Sequence, residues 1–118
     1  MSNPHVERLF EACPFLRAHI TDPDILDLAT IVFGGTAGLL IEHRLFASEE
    51  DQVFNYFNSL ASHGTEEERQ ILGTGAIELF NDTPQAQRLA RRKLKGAALG
   101  MLEELREYFG QPDYGNAA

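Results

Sequence analysis

Helix-start signals recur along this chain at intervals short enough to fill it with helices. Three pairs combine an N-cap residue with proline at the first helical position: Asn3-Pro4, Asp22-Pro23 and Thr83-Pro84. Two further four-residue patterns resemble capping boxes: Ser48–Asp51 and Thr65–Glu68. Alternation with period two is never sustained, and no Asn-Gly or Asp-Gly hairpin turn occurs. The sequence therefore predicts an all-α fold.

The apolar positions between these signals divide the chain into five or six helices. The predicted helices begin at Pro4, Pro23, Ser48, Thr65 and Thr83 and end near Pro14, His43, Gly64, Asn81 and Gly110. The helix that Asp22-Pro23 opens is expected to be the longest and to pass through the core, because it is apolar on nearly every face. Gly64 is expected to close its helix in the left-handed conformation, and Gly96 and Gly100 to kink or split the last helix.

The length of 118 residues predicts one domain, an antiparallel or orthogonal bundle over residues 1–110 with a flexible tail over 111–118. The longest uncharged stretch, residues 28–41, falls short of the roughly twenty residues that a membrane-spanning helix needs. No signal peptide is evident, and the single cysteine, Cys13, lies on an apolar stripe. We therefore expect a cytoplasmic protein without disulfides, in which Cys13 belongs to the core.

Charge is the most informative feature of the composition. The formal net charge is −8, which counts against a general nucleic-acid binder or a protein that binds anionic membranes. The bases are concentrated in residues 88–95, a segment with five bases and no acid. Three acidic groups, 22–27, 49–51 and 66–68, lie at predicted helix N-termini, where the helix dipole stabilises them. They also predict an acidic surface that faces a basic partner.

One polar stripe on the fourth predicted helix strengthens this expectation. Its members recur at spacings of three and four, and Glu78 stands alone in an otherwise uncharged stretch, so it either contacts a partner or pairs with a base of the last helix. The hairpin of the third and fourth helices would present the acids over about 20 Å. The predicted partner-binding residues are Glu49, Glu50, Asp51, Glu66, Glu67, Glu68, Gln70, Thr74, Glu78 and Asn81.

Signatures of catalysis, of cofactor binding and of metal binding are missing from the sequence. The glycine clusters lack the strand and lysine of a phosphate loop, so close helix packing is the better interpretation. The four histidines lack metal-ligand spacing, and His43 is expected to be half-buried with a hydrogen-bond partner. No G-x-S-x-G motif occurs. We expect no catalytic, cofactor-binding or metal-binding residue and a protein that is not an enzyme.

Three segments carry a resemblance to a known family: residues 10–15, Phe-Glu-Ala-Cys-Pro-Phe; residues 71–78, Ile-Leu-Gly-Thr-Gly-Ala-Ile-Glu; and residues 102–110, which end in Tyr-Phe-Gly. Over roughly residues 5–112 the chain resembles a family of small helical bacterial proteins of unknown function, similar to the immunity proteins that accompany polymorphic and secreted toxins. The resemblance implies a toxin as the partner and no catalytic residues.

Two functional hypotheses follow from these observations. The first is an immunity protein that neutralises a cognate toxin acting in the cytosol, by binding its basic cleft through an acidic surface. The alternative is a nucleic-acid-binding regulator, in which the fourth and fifth predicted helices form a helix-turn-helix and residues 88–95 face phosphates.

Overall fold

The computed structural model describes residues 3–115, and all regular secondary structure in this part of the chain is helical, as the sequence predicts. It contains seven α-helices rather than five or six: α1 (Pro4–Ala12), α2 (Leu16–His19), α3 (Ala29–Ile41), α4 (Ala47–His63), α5 (Glu66–Gly75), α6 (Pro84–Lys93) and α7 (Ala97–Tyr108). A 3-10 helix, Ile77–Asn81, lies between α5 and α6.

The first predicted helix forms as expected, from its cap to its stop. The backbone N–H of His5 donates to Asn3 Oδ1 over 2.9 Å, which satisfies one of the free amides of the first turn. The helix ends before Cys13 and Pro14, and the short helix α2 follows. Cys13 is buried, so its interpretation as a core residue is confirmed.

The prediction that Asp22-Pro23 opens the longest helix is wrong. The Asp22 carboxylate instead accepts the backbone N–H of Asp24 over 2.9 Å, which closes a local turn, and α3 begins only at Ala29. Polar residues 21–24 are exposed and offer too little apolar surface to hold another helical turn against the core. The longest helix is α4, with 17 residues. Within residues 3–115 no helix has both the length and the apolar character to cross a membrane.

The boundaries of α4 also differ from the prediction. Helix α4 starts at Ala47, and the cap bond runs from the backbone N–H of Phe46 to Glu49 Oε1 over 3.0 Å, so Ser48 is not the N-cap. At its other end Gly64 has a φ of −73°, which is not left-handed. A Cβ on Gly64 would lie 2.5 Å from the carbonyl oxygen of Leu60, so the glycine is needed for close approach.

The fourth predicted helix is divided in two at Gly75. A Cβ on Gly75 would lie 2.9 Å from the carbonyl oxygen of Thr30 and 3.0 Å from Phe33 Cβ, because α5 crosses α3 there in direct backbone contact. The capping box of Thr65 and Glu68 forms at the start of α5 as predicted. The glycine cluster at residues 73–75 thus serves close packing, and the chain continues beyond it as the 3-10 helix.

The last predicted helix is split, as the sequence allowed, and Gly96 lies at the break with a φ of 55°. Asn58 of α4 holds the link between α6 and α7 from the side. Its Nδ2 donates to the carbonyl of Lys93 over 3.2 Å, and its Oδ1 accepts the backbone N–H of Lys95 over 2.9 Å. This junction therefore has fixed geometry.

One hydrophobic core joins all seven helices. Its largest fully buried side chains are Phe33, Phe54, Phe57, Phe80, Leu9, Leu16, Leu40, Leu72, Ile77, Leu94, Leu102 and Gln87. Phe33 and Phe57 stack with their ring centroids 6.0 Å apart. The segment 111–115, which the sequence predicts as part of a flexible tail, lies against α6 and is held by hydrogen bonds. Residues 116–118 of that predicted tail lie outside the described residues.

Candidate protein-binding surface

The predicted acidic group at the start of α4 makes contacts within the protein itself. Glu49 accepts the cap hydrogen bond. Glu50 Oε2 lies 3.3 Å from Nδ1 of His43, and Asp51 Oδ1 lies 3.0 Å from Nζ of Lys93. Each carboxylate of this group therefore has an intramolecular role, which reduces the charge it presents to a partner.

The predicted acidic group at the start of α5, residues 66–68, also makes contacts within the protein. Glu68 accepts the backbone N–H of Thr65 over 2.9 Å and lies 3.6 Å from the guanidinium of Arg8. The bond from the Thr65 backbone is the main reason that the pKa of Glu68 is lowered. Glu67 Oε1 lies 3.8 Å from Nε2 of His5, which joins α5 to α1. Glu66 is the first residue of the helix and is exposed.

The predicted polar stripe does not form one surface, because the helix that would carry it is broken. Gln70 and Thr74 are exposed on α5. Glu78 is half-buried on the 3-10 helix and forms no ion pair with any base of residues 3–115, so its contact with a partner stays a prediction. Asn81 is only 1% exposed, and its Nδ2 donates to the carbonyl of Leu102 over 3.1 Å. Asn81 therefore belongs to the core and not to the surface.

A groove of about 510 Å³ lies between α5 and α7 and brings together part of the predicted stripe. Glu66, Gln70 and Thr74 line its α5 side. Sequence reasoning missed the remaining lining residues, which are Arg69, Gly73, Met101, Glu104, Leu105 and Tyr108. Three predicted partner-binding residues thus share one concave surface.

The floor of this groove is apolar and ends in an exposed aromatic pair. A Cβ on Gly73 would lie 3.1 Å from Met101 Cε, so the absence of a side chain there leaves room for Met101 in the floor. Tyr108 is 81% exposed, and its ring meets that of Phe109 edge-on at a centroid distance of 4.9 Å. Exposed aromatic side chains beside a concave apolar surface are characteristic of protein interfaces.

Two carboxylates line the groove on opposite sides. Glu66 belongs to α5 and Glu104 to α7, and neither forms an ion pair within the described residues. The one base in the lining, Arg69, donates from Nη1 to the carbonyl of Gly64 over 3.0 Å. The groove therefore combines an apolar floor with carboxylates that have no internal counter-ion.

The α7 side of the groove had a signal that sequence reasoning read differently. Met101, Leu105 and Tyr108 follow one another at spacings of four and three, which places them on one helical face. This spacing predicts packing for Met101 and Leu105, as is usual for apolar residues on one helical face, and gives Tyr108 no role. Only the tertiary arrangement reveals that Tyr108 projects beyond the core and that α5 lies alongside.

The basic segment over residues 88–95 mostly serves the fold. The side chain of Arg91 is only 9% exposed and binds Glu103 through two hydrogen bonds of 3.0 and 2.9 Å and Asp113 through one of 2.7 Å. These hydrogen bonds, chiefly those to Glu103, raise the pKa of Arg91 above its ordinary value. Arg88 donates to the carbonyl of Tyr114. This engagement leaves few cations of the segment available to phosphates, so the geometry favours the protein-binding hypothesis.

The remaining candidates form no further site. His43 has its predicted partner in Glu50, but its side chain is largely exposed rather than half-buried, and its φ of 54° ends α3 in a left-handed turn. Burial raises the pKa of the Cys13 thiol to about 11, which keeps it protonated near neutral pH. Among residues 3–115, no three histidine, cysteine, aspartate or glutamate side chains are grouped to hold a metal ion.

Comparisons with known proteins identify no relative of this chain. No protein-family model matches the chain, and neither a curated protein nor a solved structure matches it.

Proposed function

We propose that this protein is an immunity protein, an inhibitor that binds a cognate toxin domain acting in the cytosol and covers its basic cleft. The observation that carries the proposal is the groove between α5 and α7, with its apolar floor and its two carboxylates. The three predicted partner-binding residues on its α5 side support the same surface.

The floor of the groove would supply most of the binding energy. Tyr108, Met101 and Leu105 offer apolar area next to a cavity, and aromatic side chains in such positions often act as hot spots. A projecting apolar side chain of the toxin would pack against Met101, Leu105 and Tyr108 in this groove.

The charge of the groove supports a partner with a basic surface. Glu66 and Glu104 have no internal counter-ion in the described part of the chain, and the whole chain carries −8. Toxins that cleave nucleic acids or nucleotides have basic clefts, so an acidic inhibitor would gain association rate from electrostatic steering. A second copy of this chain fits the groove less well, because it would bring carboxylates against carboxylates.

The experiment is co-expression with the toxin domain encoded next to this gene, scored by growth of the host cell. We expect the parent protein to restore growth and to bind the purified domain. If the neighbouring reading frames encode no toxin-like domain, or if the parent binds the domain without restoring growth, the proposal is wrong.

Two matched substitutions locate the binding surface. Tyr108→Ala should weaken binding by about 2 kcal/mol or more, as expected for an aromatic hot spot. Phe46→Ala is the control, because Phe46 is 78% exposed and lies outside the groove lining. Equal loss of affinity in both variants, or none in either, would place the interface elsewhere.

Glu66→Lys tests the electrostatic part without disturbing an internal ion pair. We expect it to slow association and to reduce the dependence of the association rate on salt, while the melting temperature stays close to that of the parent. Glu68→Lys is not suitable for this purpose, because Glu68 caps α5.

A further inference from the structure

Residues 111–115, here called the strap, cross α6 without forming a helix. Gly110 turns the chain after α7 with a φ of 64°. A segment outside regular structure needs other partners for its backbone groups, and side chains of α6 provide them. The residues of α6 that do so, Gln87, Arg88 and Arg91, are called the strap site.

Gln87 binds the strap backbone on both sides of Asp113. Its Nε2 donates to the carbonyl of Pro112 over 3.0 Å, and its Oε1 accepts the backbone N–H of Tyr114 over 2.7 Å. The Gln87 side chain is completely buried and is fixed from behind, because Nε2 also donates to Asn81 Oδ1 over 3.0 Å. The receptor for the strap is therefore held in place by the core.

Arg91 binds the side chain of the strap. Its Nη1 donates to Asp113 Oδ1 over 2.7 Å and to the carbonyl of Gly115 over 3.0 Å. The guanidinium is oriented by its two hydrogen bonds to Glu103. The bond from Arg91 is the main cause of a lowered pKa at Asp113. The strap site thus binds the carboxylate of Asp113 together with the backbone on either side of that residue.

The attachment is nevertheless incomplete. Pro112 and Asp113 are exposed, and the strap adds no residue to the buried core. Within residues 3–115, Arg88 Nε and Gln111 Oε1 are buried without a hydrogen-bond partner, which reduces the net stability of this region. Departure of the strap would therefore uncover the polar side chain of Gln87 but would remove no apolar side chain from the core.

We propose that the strap site is a recognition site for a short peptide segment that contains an aspartate, and that the strap is its displaceable intramolecular ligand. In this site Gln87 binds the backbone of the peptide, and Arg91 binds the carboxylate of its aspartate. Tethering gives the strap an effective concentration on the order of millimolar, so it excludes weak competitors and yields to a segment that binds better. This site is separate from the groove between α5 and α7.

Hydrogen exchange of the parent protein tests the displacement. We expect the Tyr114 amide to exchange at least about tenfold more slowly than in a free peptide, and at least about a hundredfold faster than the Leu102 amide of the core. Exchange as fast as in the free peptide would mean that the strap is not bound. Exchange at the rate of Leu102 would mean that it leaves only on unfolding. Either result overturns the proposal.

Binding of a synthetic peptide tests the recognition. The probe is the blocked pentapeptide Gln-Pro-Asp-Tyr-Gly, and the receptor is the full chain with Asp113→Arg, which sets like charges against each other at the strap site. We expect this variant to bind the probe at least about tenfold more tightly than the parent does, because its own strap no longer competes.

The control peptide has asparagine in place of aspartate and should bind at least about tenfold more weakly, because it loses the charged hydrogen bond to Arg91. Equal affinity for both peptides, or no binding by a variant that melts as the parent does, would overturn the proposal. If Asp113→Arg prevents folding, the hydrogen exchange of the parent decides the question.

Discussion

Gln87 and Asn81 share a hydrogen bond of 3.0 Å between their side-chain amides, and both side chains are buried. Asn81 also binds the carbonyl of Leu102, so the pair links the 3-10 helix, α6 and α7. Such a polar pair inside a core stabilises one arrangement of the helices, because any other would leave amide groups without partners.

Asn81→Ala should reduce the free energy of unfolding by about 2–4 kcal/mol, since it removes a buried hydrogen bond to the Leu102 carbonyl and one of the two hydrogen bonds that Gln87 Nε2 donates. Urea denaturation measures the loss. The control is Asn55→Ala on the exposed face of α4, for which we expect a change within about 0.5 kcal/mol. Equal effects of the two substitutions would contradict the burial of Asn81.

Gly75→Ala and Gly100→Ala should change stability in opposite directions. A Cβ at Gly75 meets the backbone of Thr30, so we expect a loss of about 1–3 kcal/mol as α3 and α5 separate. Gly100 lies inside α7 with no atom within 4 Å of the added Cβ, so alanine should add about 0.5–1 kcal/mol. Thermal melts of the two variants beside the parent test this pair.

The ion pair between Glu103 and Arg91 should make stability depend on pH in the acid range. The hydrogen bond from Arg91, followed by that from Arg106, lowers the pKa of Glu103 below its ordinary value of 4.5. The contribution is fully present above the pKa of the unfolded chain and is lost as the pH falls through the lower pKa of the folded state.

Urea titrations of the parent and of Glu103→Gln between neutral pH and the acid limit would measure this contribution. We expect the two curves to converge as the pH falls below the ordinary carboxyl range, because the parent then carries a neutral Glu103 too. A difference in unfolding free energy that stays constant at every pH would show that the charge of the Glu103 carboxylate contributes nothing to stability.

Cys13 should resist alkylation while the protein is folded. Burial raises the pKa of its thiol from 9.0 to about 11, which lowers the thiolate fraction near pH 8 about a hundredfold. Iodoacetamide should therefore label the native chain at least about a hundredfold more slowly than the chain in urea, as followed by mass spectrometry. Labelling of the native chain at the unfolded rate would contradict the burial of this thiol.

Local signals in the sequence predicted the all-helical class and the starts of α1, α5 and α6, and competing local hydrogen bonds explain the errors at Asp22 and Ser48. Thr65 and Glu68 satisfy each other within one turn, so their box could be predicted. At Ser48 the same pattern failed, because Glu49 reaches the backbone of Phe46 instead.

The candidate site depends more strongly on packing than the helices do. Asn81 fell on the predicted stripe only while α5 was assumed to continue, and the contact of Gly75 with α3 ends that helix early. The groove could not be predicted, because it exists only where α5 and α7 lie side by side. Its α5 residues were identified correctly as exposed and polar, whereas Tyr108 was not among the predicted partner-binding residues.

Gly73 and Gly75 face different neighbours, Met101 of α7 and the backbone of α3. The shape of the groove lining depends on Gly73, where the absence of a side chain leaves room for Met101, whereas its charge comes from Glu66, Glu104 and Arg69. Shape and charge can consequently diverge independently during evolution. A lineage could exchange the marginal residues to follow a changing partner while it preserved the cavity, and a single enlarged side chain at Gly73 would close that cavity to every partner at once.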